Sequence, residues 1–145
     1  MTPHESRPME VQLDFPVRTY DIDFAGVVSN IVYIRWLEDL RLTILETYYP
    51  LEKFLNAGLA PTLVETCIKY HKPVRIMDKP HARMWISKVS RFKFVFNTEF
   101  YVNGELVTTA EQVGCLIDMS SGKPAPMPEA LREIYHKQLG DRSTE

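Results

Sequence analysis

The sequence predicts an α+β domain, with one antiparallel sheet of about five strands wrapped around a single long helix. Three observations point there. Tyr33, Trp36, Leu37, Leu40 and Ile44 recur at helical spacing, against a polar stripe of Arg35, Glu38, Asp39, Thr43 and Glu46. Phe94, Phe96, Thr98, Phe100 and Val102 alternate with Val95, Asn97, Glu99 and Tyr101, and Asn103-Gly104 then leads into a second β-rich run, Glu105 to Asp118. Asn-Gly between two such runs signals a tight hairpin, because both central positions of a type I′ turn need positive φ. Finally, strands and helices do not alternate, which argues against a doubly wound sheet.

The elements follow in order. Residues 1–9 carry Pro, Ser and charges without periodicity and are expected to be a frayed tail. Leu13, Phe15 and Val17 alternate with Asp14, Pro16 and Arg18, so a half-buried strand is expected from Val11 to Thr19, with Pro16 turned away from any ladder partner. Tyr20 to Ser29 is a loop with Gly26 as its flexible point. The long helix starts at a Ser29 or Asn30 cap and ends before Pro50. Ile31, Ile34 and Leu45 widen its apolar stripe, so it should be wrapped by other structure. A short helical turn is expected from Leu51, closed at Gly58. Strands are expected at Thr62 to Tyr70 and Ala82 to Ser90, so that the four later strands form a meander. Ser120 to Pro128 is a loop, and Pro128 to Leu139 a terminal helix. The domain is therefore placed at residues 10–139, with a C-terminal tail at 140–145.

Composition narrows the function. With 145 residues, 45% hydrophobic and 25% charged, the chain has material for one core. Lys plus Arg is 17 and Asp plus Glu is 19, a net charge of −2, which offers no electrostatic footprint for nucleic acid. No apolar run approaches the ~18 residues of a membrane span, and the first residues lack the apolar segment of a signal peptide. Cys67 and Cys115 show no CxxC spacing and read as free thiols of a reducing cytoplasm. The four histidines are not at metal-ligand spacing, and neither metal nor organic cofactor is expected. One sheet leaves an edge strand that wants a partner, so a homodimer or homotetramer is expected. The short length points to a site shared between subunits.

The chemistry concentrates in Tyr20-Asp21-Ile22-Asp23-Phe24-Ala25-Gly26-Val27-Val28-Ser29-Asn30. Two carboxylates precede a helix whose first N–H groups lack intrahelical acceptors and sit at the positive end of its dipole. Such donors can hold a developing oxyanion while a carboxylate attacks a carbonyl or activates water. Asp21 and Asp23 also suit the plainer role of solvated turn residues or local caps. An Asp-x-Asp metal or phosphotransfer site is disfavoured, since no buried parallel strand leads into the loop.

Tyr20-Asp21-x-Asp23-x-x-Gly26-Val27-Val28, followed by Tyr33-x-x-Trp36-x-Glu38-x-x-Arg41, resembles the signature of hot-dog-fold acyl-CoA thioesterases, in particular the 4-hydroxybenzoyl-CoA thioesterase group. The match is sharp from Val17 to Arg41 and continues loosely to Asp118. The resemblance implies a hot-dog fold and hydrolysis of an acyl-CoA to free acid and coenzyme A. It implies Asp23 as the catalytic carboxylate and the backbone amide around Asn30 as the donor that polarises the thioester carbonyl. It also implies that Gly26 lets the loop turn into the helix, and that Tyr33 and Trp36 line the acyl pocket. Relatives often carry basic side chains near Ser90-Arg91-Phe92-Lys93, which gives Arg91 and Lys93 a role on the coenzyme A phosphates; a solvated turn is the competing reading. Where many relatives have a histidine after the Val-Val pair, this chain has Ser29-Asn30.

The chemistry is consistent without that histidine. A thiolate leaving group has a conjugate acid of pKa ~8.5 and departs with little help from a general acid. A carboxylate near a helix N-terminus is held ionised, which favours a nucleophile over a base, though activation of water stays open. Two other functions are compatible with the same fold. A non-catalytic acyl-CoA-binding protein of the same fold would release no thiol from any acyl-CoA. A hydroxyacyl-thioester dehydratase would change enoyl absorbance instead, and the missing histidine counts against it.

Overall fold

The computed structural model describes residues 7–143. The elements run β1 (Val11–Asp14), a 3-10 turn (Thr19–Asp21), α1 (Asn30–Tyr48), α2 (Leu51–Asn56), β2 (Leu59–Tyr70), β3 (His81–Val89), β4 (Lys93–Val102), β5 (Glu105–Asp118), β6 (Pro124–Ala125) and α3 (Glu129–Ser143). All strand pairs are antiparallel, in the order β1-β3-β4-β5-β2, with β6 on β5. The fold is the single-sheet α+β arrangement expected from the sequence.

The helix and hairpin stand where periodicity puts them. Ser29 caps α1, its Oγ accepting from the Ile31 N–H at 3.4 Å. Val32, Tyr33, Trp36, Leu37, Leu40 and Ile44 are buried against the sheet. Asn103 (φ 51°) and Gly104 (φ 77°) close the β4–β5 hairpin with both φ angles positive.

Four expectations are corrected. β1 stops at Asp14 rather than Thr19: Phe15 makes one more bond, to the Pro80 carbonyl, and Pro16 has no N–H with which to continue. The meander covers only β3, β4 and β5, because β2 lies on the far side of β5 and residues 71–80 carry the chain back across. The count of about five strands holds, with the two-residue β6 in the 120–128 stretch as a sixth. Residues 7–9 are not a frayed tail. Met9 is buried at φ 56° with its N–H on Gln138 Oε1, and the Pro8 carbonyl accepts from Ile86. The remainder of that expected tail, residues 1–6, lies outside the described residues. At the other end α3 continues through 140–143, residues expected as tail.

The wide apolar stripe of α1 is covered on one side only. Ile31 is 65% and Ile34 46% exposed, and Leu42 also faces outward. Nearby, β2 is a 12-residue edge strand that is exposed along much of its length, with Val64 57% exposed. Pro61 fits there because an edge strand leaves its N–H side unpaired. Inside the sheet, Gly114 on β5 stands between Phe94 on β4 and Leu63 on β2. A Cβ at Gly114 would collide with the Phe94 ring and lie 2.9 Å from the Thr62 carbonyl oxygen. Among the described residues, no helix is long and apolar enough to cross a membrane.

Candidate active site

The Asp23 loop is folded by its own backbone. Ile22 and Val28 form an isolated antiparallel bridge, and the Asp23 N–H donates to the Val27 carbonyl at 2.9 Å. Gly26, at φ 79°, donates to the Asp23 carbonyl, a conformation that favours glycine. The Asp23 side chain joins in through one oxygen: Oδ1 accepts from Ala25 N–H at 2.8 Å and from Val27 N–H at 3.4 Å. Oδ2 takes no hydrogen bond among the described residues. Asp23 is thus half-buried with one oxygen tethered and the other unengaged.

Asp21 does structural work. It is buried, its Oδ2 accepts the Arg18 N–H at 2.8 Å, and its carbonyl accepts the Ser29 N–H at 2.8 Å, which aims the chain into α1. Asn30 is the first helical residue and is exposed, so its N–H belongs to the set that helix geometry leaves without an intrahelical acceptor. A further bond, Val28 N–H to the Val74 carbonyl at 2.8 Å, ties this loop to the segment after β2.

Tyr33 and Trp36 are core residues. Tyr33 is 2% exposed and meets Trp36, Tyr70 and Phe100 edge-to-face at 5.4, 5.2 and 5.5 Å. Trp36 stacks on Phe15 at 5.1 Å. Burial pushes the Tyr33 hydroxyl above its ordinary pKa. Arg91 and Lys93 are exposed in the β3–β4 turn, the Arg91 carbonyl accepting from Met127 N–H. Within one chain the two halves of the expected site lie apart. Tyr70 sits at the Asp23 end of β2, whereas Lys93 pairs with Cys115, which pairs with Thr62 at the other end. Eight residues of strand separate these ends, about 26 Å at ~3.3 Å per residue.

A cavity of about 400 Å³ occupies that second end. Leu45, Ile44, Phe94, Phe96 and Leu131 line it, and Glu38 and Arg41 bring the charges. The Arg41 guanidinium donates to Gln112 Oε1 at 2.8 Å, and the Gln112 amide donates to Thr66 Oγ1 at 3.1 Å. Burial lowers the Arg41 pKa from the usual arginine range, with Glu38 opposing that shift. Sequence reasoning names Arg41 only as part of a motif and misses the cavity. The available signal was a cation set among Leu37, Leu40 and Ile44 on the apolar stripe, and a glutamine on the inward rhythm of β5.

The family model for the thioesterase-like superfamily matches residues 17–134, most of the chain. The chain belongs to the thioesterase-like superfamily. The structure is similar to a DHNA-CoA thioesterase from Staphylococcus aureus, with a TM-score of 0.84 and 22% identity over 94% of this chain and 95% of that one. It is also similar to Slr0204, a 1,4-dihydroxy-2-naphthoyl-CoA thioesterase from Synechocystis, with a TM-score of 0.78 and 21% identity over 88% and 96% of the two chains. In sequence it is 26% identical to the chloroplastic acyl-acyl carrier protein thioesterase ATL3 of Arabidopsis thaliana, over 86% of this chain and 66% of that one. Membership in this thioesterase-like superfamily makes the chain a thioester hydrolase with the hot-dog fold, as the resemblance of the loop and helix residues implied.

Proposed function

We propose that this thioester hydrolase acts on acyl-CoA, with Asp23 as nucleophile and the first amides of α1, at Asn30, as the oxyanion donors. The observation that carries this reading is the split carboxylate. Oδ1 is fixed by Ala25 and Val27, so Oδ2 is held in place without being consumed. Oδ2 attacks the thioester carbon, the carbonyl oxygen gains charge against the helix N-terminus, and the C–S bond breaks to release coenzyme A thiolate, which takes a proton from solvent. Water then cleaves the mixed anhydride, releasing the acid and regenerating the carboxylate. No general acid is required, because the thiolate is a good leaving group.

Gly26 shapes the loop, and Tyr33 and Trp36 act from behind it, as the packed wall on which the loop and α1 rest. The long exposed edge of β2, together with the exposed Ile31 and Ile34 of α1, supports a homodimer in which two β2 strands pair across a two-fold axis. Such pairing is antiparallel, so the Tyr70 end of one β2 meets the Thr62 end of the other. The β3–β4 turn of the partner, with its Arg91 and Lys93, then approaches this chain's Asp23 and supplies positive charge for the coenzyme A phosphates. The free thiols of Cys67 and Cys115 support a reducing, cytoplasmic setting.

The test is thiol release from a panel of acyl-CoAs by the native chain and by Asp23→Asn. Hydrolysis by the native chain and its collapse in the variant support the reading. Equal rates remove Asp23 from the mechanism, and no thiol release from any member removes acyl-CoA as the substrate.

A further inference from the structure

From the shape and lining of the cavity under the second half of α1, we infer that the substrate's acyl group is a medium-length aliphatic chain. It is seated in the cavity of one protomer while its thioester meets Asp23 of the other. This rests on the acyl-CoA reading and on the β2 dimer above.

The cavity's lining is the first argument. Leu45 and Ile44 from α1, Phe94 and Phe96 from β4, and Leu131 from α3 surround it with hydrocarbon. Of its polar members, Tyr49 brings one hydroxyl and the others are mostly engaged or lie at its edge. The Thr62 hydroxyl donates to the Cys115 carbonyl at 3.1 Å, Arg41 is bonded to Gln112, and Glu38 is exposed. A hydroxylated aromatic acyl group would bring hydroxyls into walls that offer them few partners, and each unpaired one is costly. An alkyl chain has no such groups. A cavity of about 400 Å³ falls in the size range of small-molecule sites and takes a medium-length alkyl chain.

Position is the second argument. Within one chain the cavity lies at the far end of α1 from the Asp23 loop. Asn30 and Arg41 are eleven residues apart on α1, about 16 Å at ~1.5 Å per residue, and buried Tyr33 and Trp36 fill the core between them. The exposed lining residues Leu42 and Leu63 mark the mouth, and Leu63 lies near the start of β2. The Asp23 loop lies at the other end of β2: Tyr33 meets Tyr70 at 5.2 Å, and Val28 bonds to Val74. Antiparallel pairing of two β2 edges centred near Thr66 therefore sets the mouth of each cavity beside the partner's Asp23 loop. A chain entering at Leu63 would leave its thioester at that junction.

The test uses butyryl-, decanoyl- and benzoyl-CoA with the native chain, Leu45→Trp and the milder Leu45→Phe, each checked for folding by circular dichroism. The native chain should prefer decanoyl- over benzoyl-CoA. Filling the cavity should lower the decanoyl-to-butyryl ratio of kcat/KM by about tenfold or more, a few methylenes' worth of discrimination. Asp23→Asn should depress all three substrates together. Co-expression of Leu45→Trp with Asp23→Asn then tests the shared arrangement. A hybrid dimer would have one site carrying both defects and one carrying neither, so an equal mixture should recover about a quarter of native decanoyl-CoA turnover. Recovery of none would place cavity and Asp23 in the same protomer and overturn the arrangement. A preference for benzoyl-CoA, or a ratio unmoved by both Leu45 variants, would overturn the aliphatic assignment while leaving acyl-CoA hydrolysis intact. Inactivity of the native chain on all three would instead overturn the function on which it rests.

Discussion

In the loop before α1, Oδ1 of Asp23 accepts the Ala25 N–H at 2.8 Å, so the residue assigned to the chemistry also holds the turn that presents it. An aspartate used only as a turn former and one used as a nucleophile differ in the second oxygen. Asparagine retains the Oδ1 acceptor and loses the charge of Oδ2, which makes Asp23→Asn the clean separation. Its expected outcome is a loss of ~10²-fold or more in kcat with a melting temperature close to that of the native chain. Alanine should lose the same activity and also stability, by ~1 kcal/mol for the missing loop bonds. Steady-state kinetics beside thermal melts of both variants checks this.

The Arg41–Gln112–Thr66 line crosses from α1 to the two strands at the edge of the sheet, and it is partly cut off from water. Gln112→Leu should leave the guanidinium short of its acceptor and cost ~1–3 kcal/mol of stability. Adding Arg41→Met should recover part of that loss, because both partners are then apolar. Urea unfolding of the two single variants and the double gives the coupling directly.

Tyr33 sets a limit at high pH. Burial holds its folded pKa above the reference value of 10.0. The unfolded chain therefore ionises first as pH rises. The stability gained from the neutral hydroxyl is complete below pH 10 and is lost as pH climbs from there through the folded pKa. Urea midpoints measured at pH 8, 9.5, 10.5 and 11 should fall over the last two, and Tyr33→Phe should fall less steeply.

Arg91 and Lys93 are exposed, so charge removal should leave the fold alone. Replacing both with alanine is expected to raise KM severalfold at low ionic strength, flatten its salt dependence and leave kcat near native. An unchanged KM would return them to the role of solvated turn residues.

The β2 edge gives a test of assembly. Val64→Lys places a charge in the middle of the exposed strand and should convert the proposed β2-paired dimer into a monomer, read by light scattering. If each site draws on two chains, acyl-CoA turnover should fall in step with the dimer fraction.

Much of this was legible in the sequence because it is local. The period of α1, the Asn103-Gly104 hairpin and the Asp23-x-x-Gly26 turn each depend on residues within a few positions of one another. What was not legible depends on distant partners. The placement of β2 beside β5 is decided by pairing over some fifty residues, which alternation cannot encode. Tyr33 and Trp36 read as pocket-lining because the motif places them one and two turns into the helix. Only the arrival of Phe15, Tyr70 and Phe100 shows that they face the core. The cavity was invisible for the same reason, since its walls come from α1, β4 and α3 at once.

Gly114 does not appear among the residues that line the cavity, yet it governs how much room there is. Opposite it, the Phe94 ring lies down into the vacancy of a missing side chain. The hollow thus exists because a neighbouring strand gives up its own bulk. A single methyl placed at position 114 would drive the ring from its place on the cavity wall, so the room under α1 is set in part by an atom that the protein does not have.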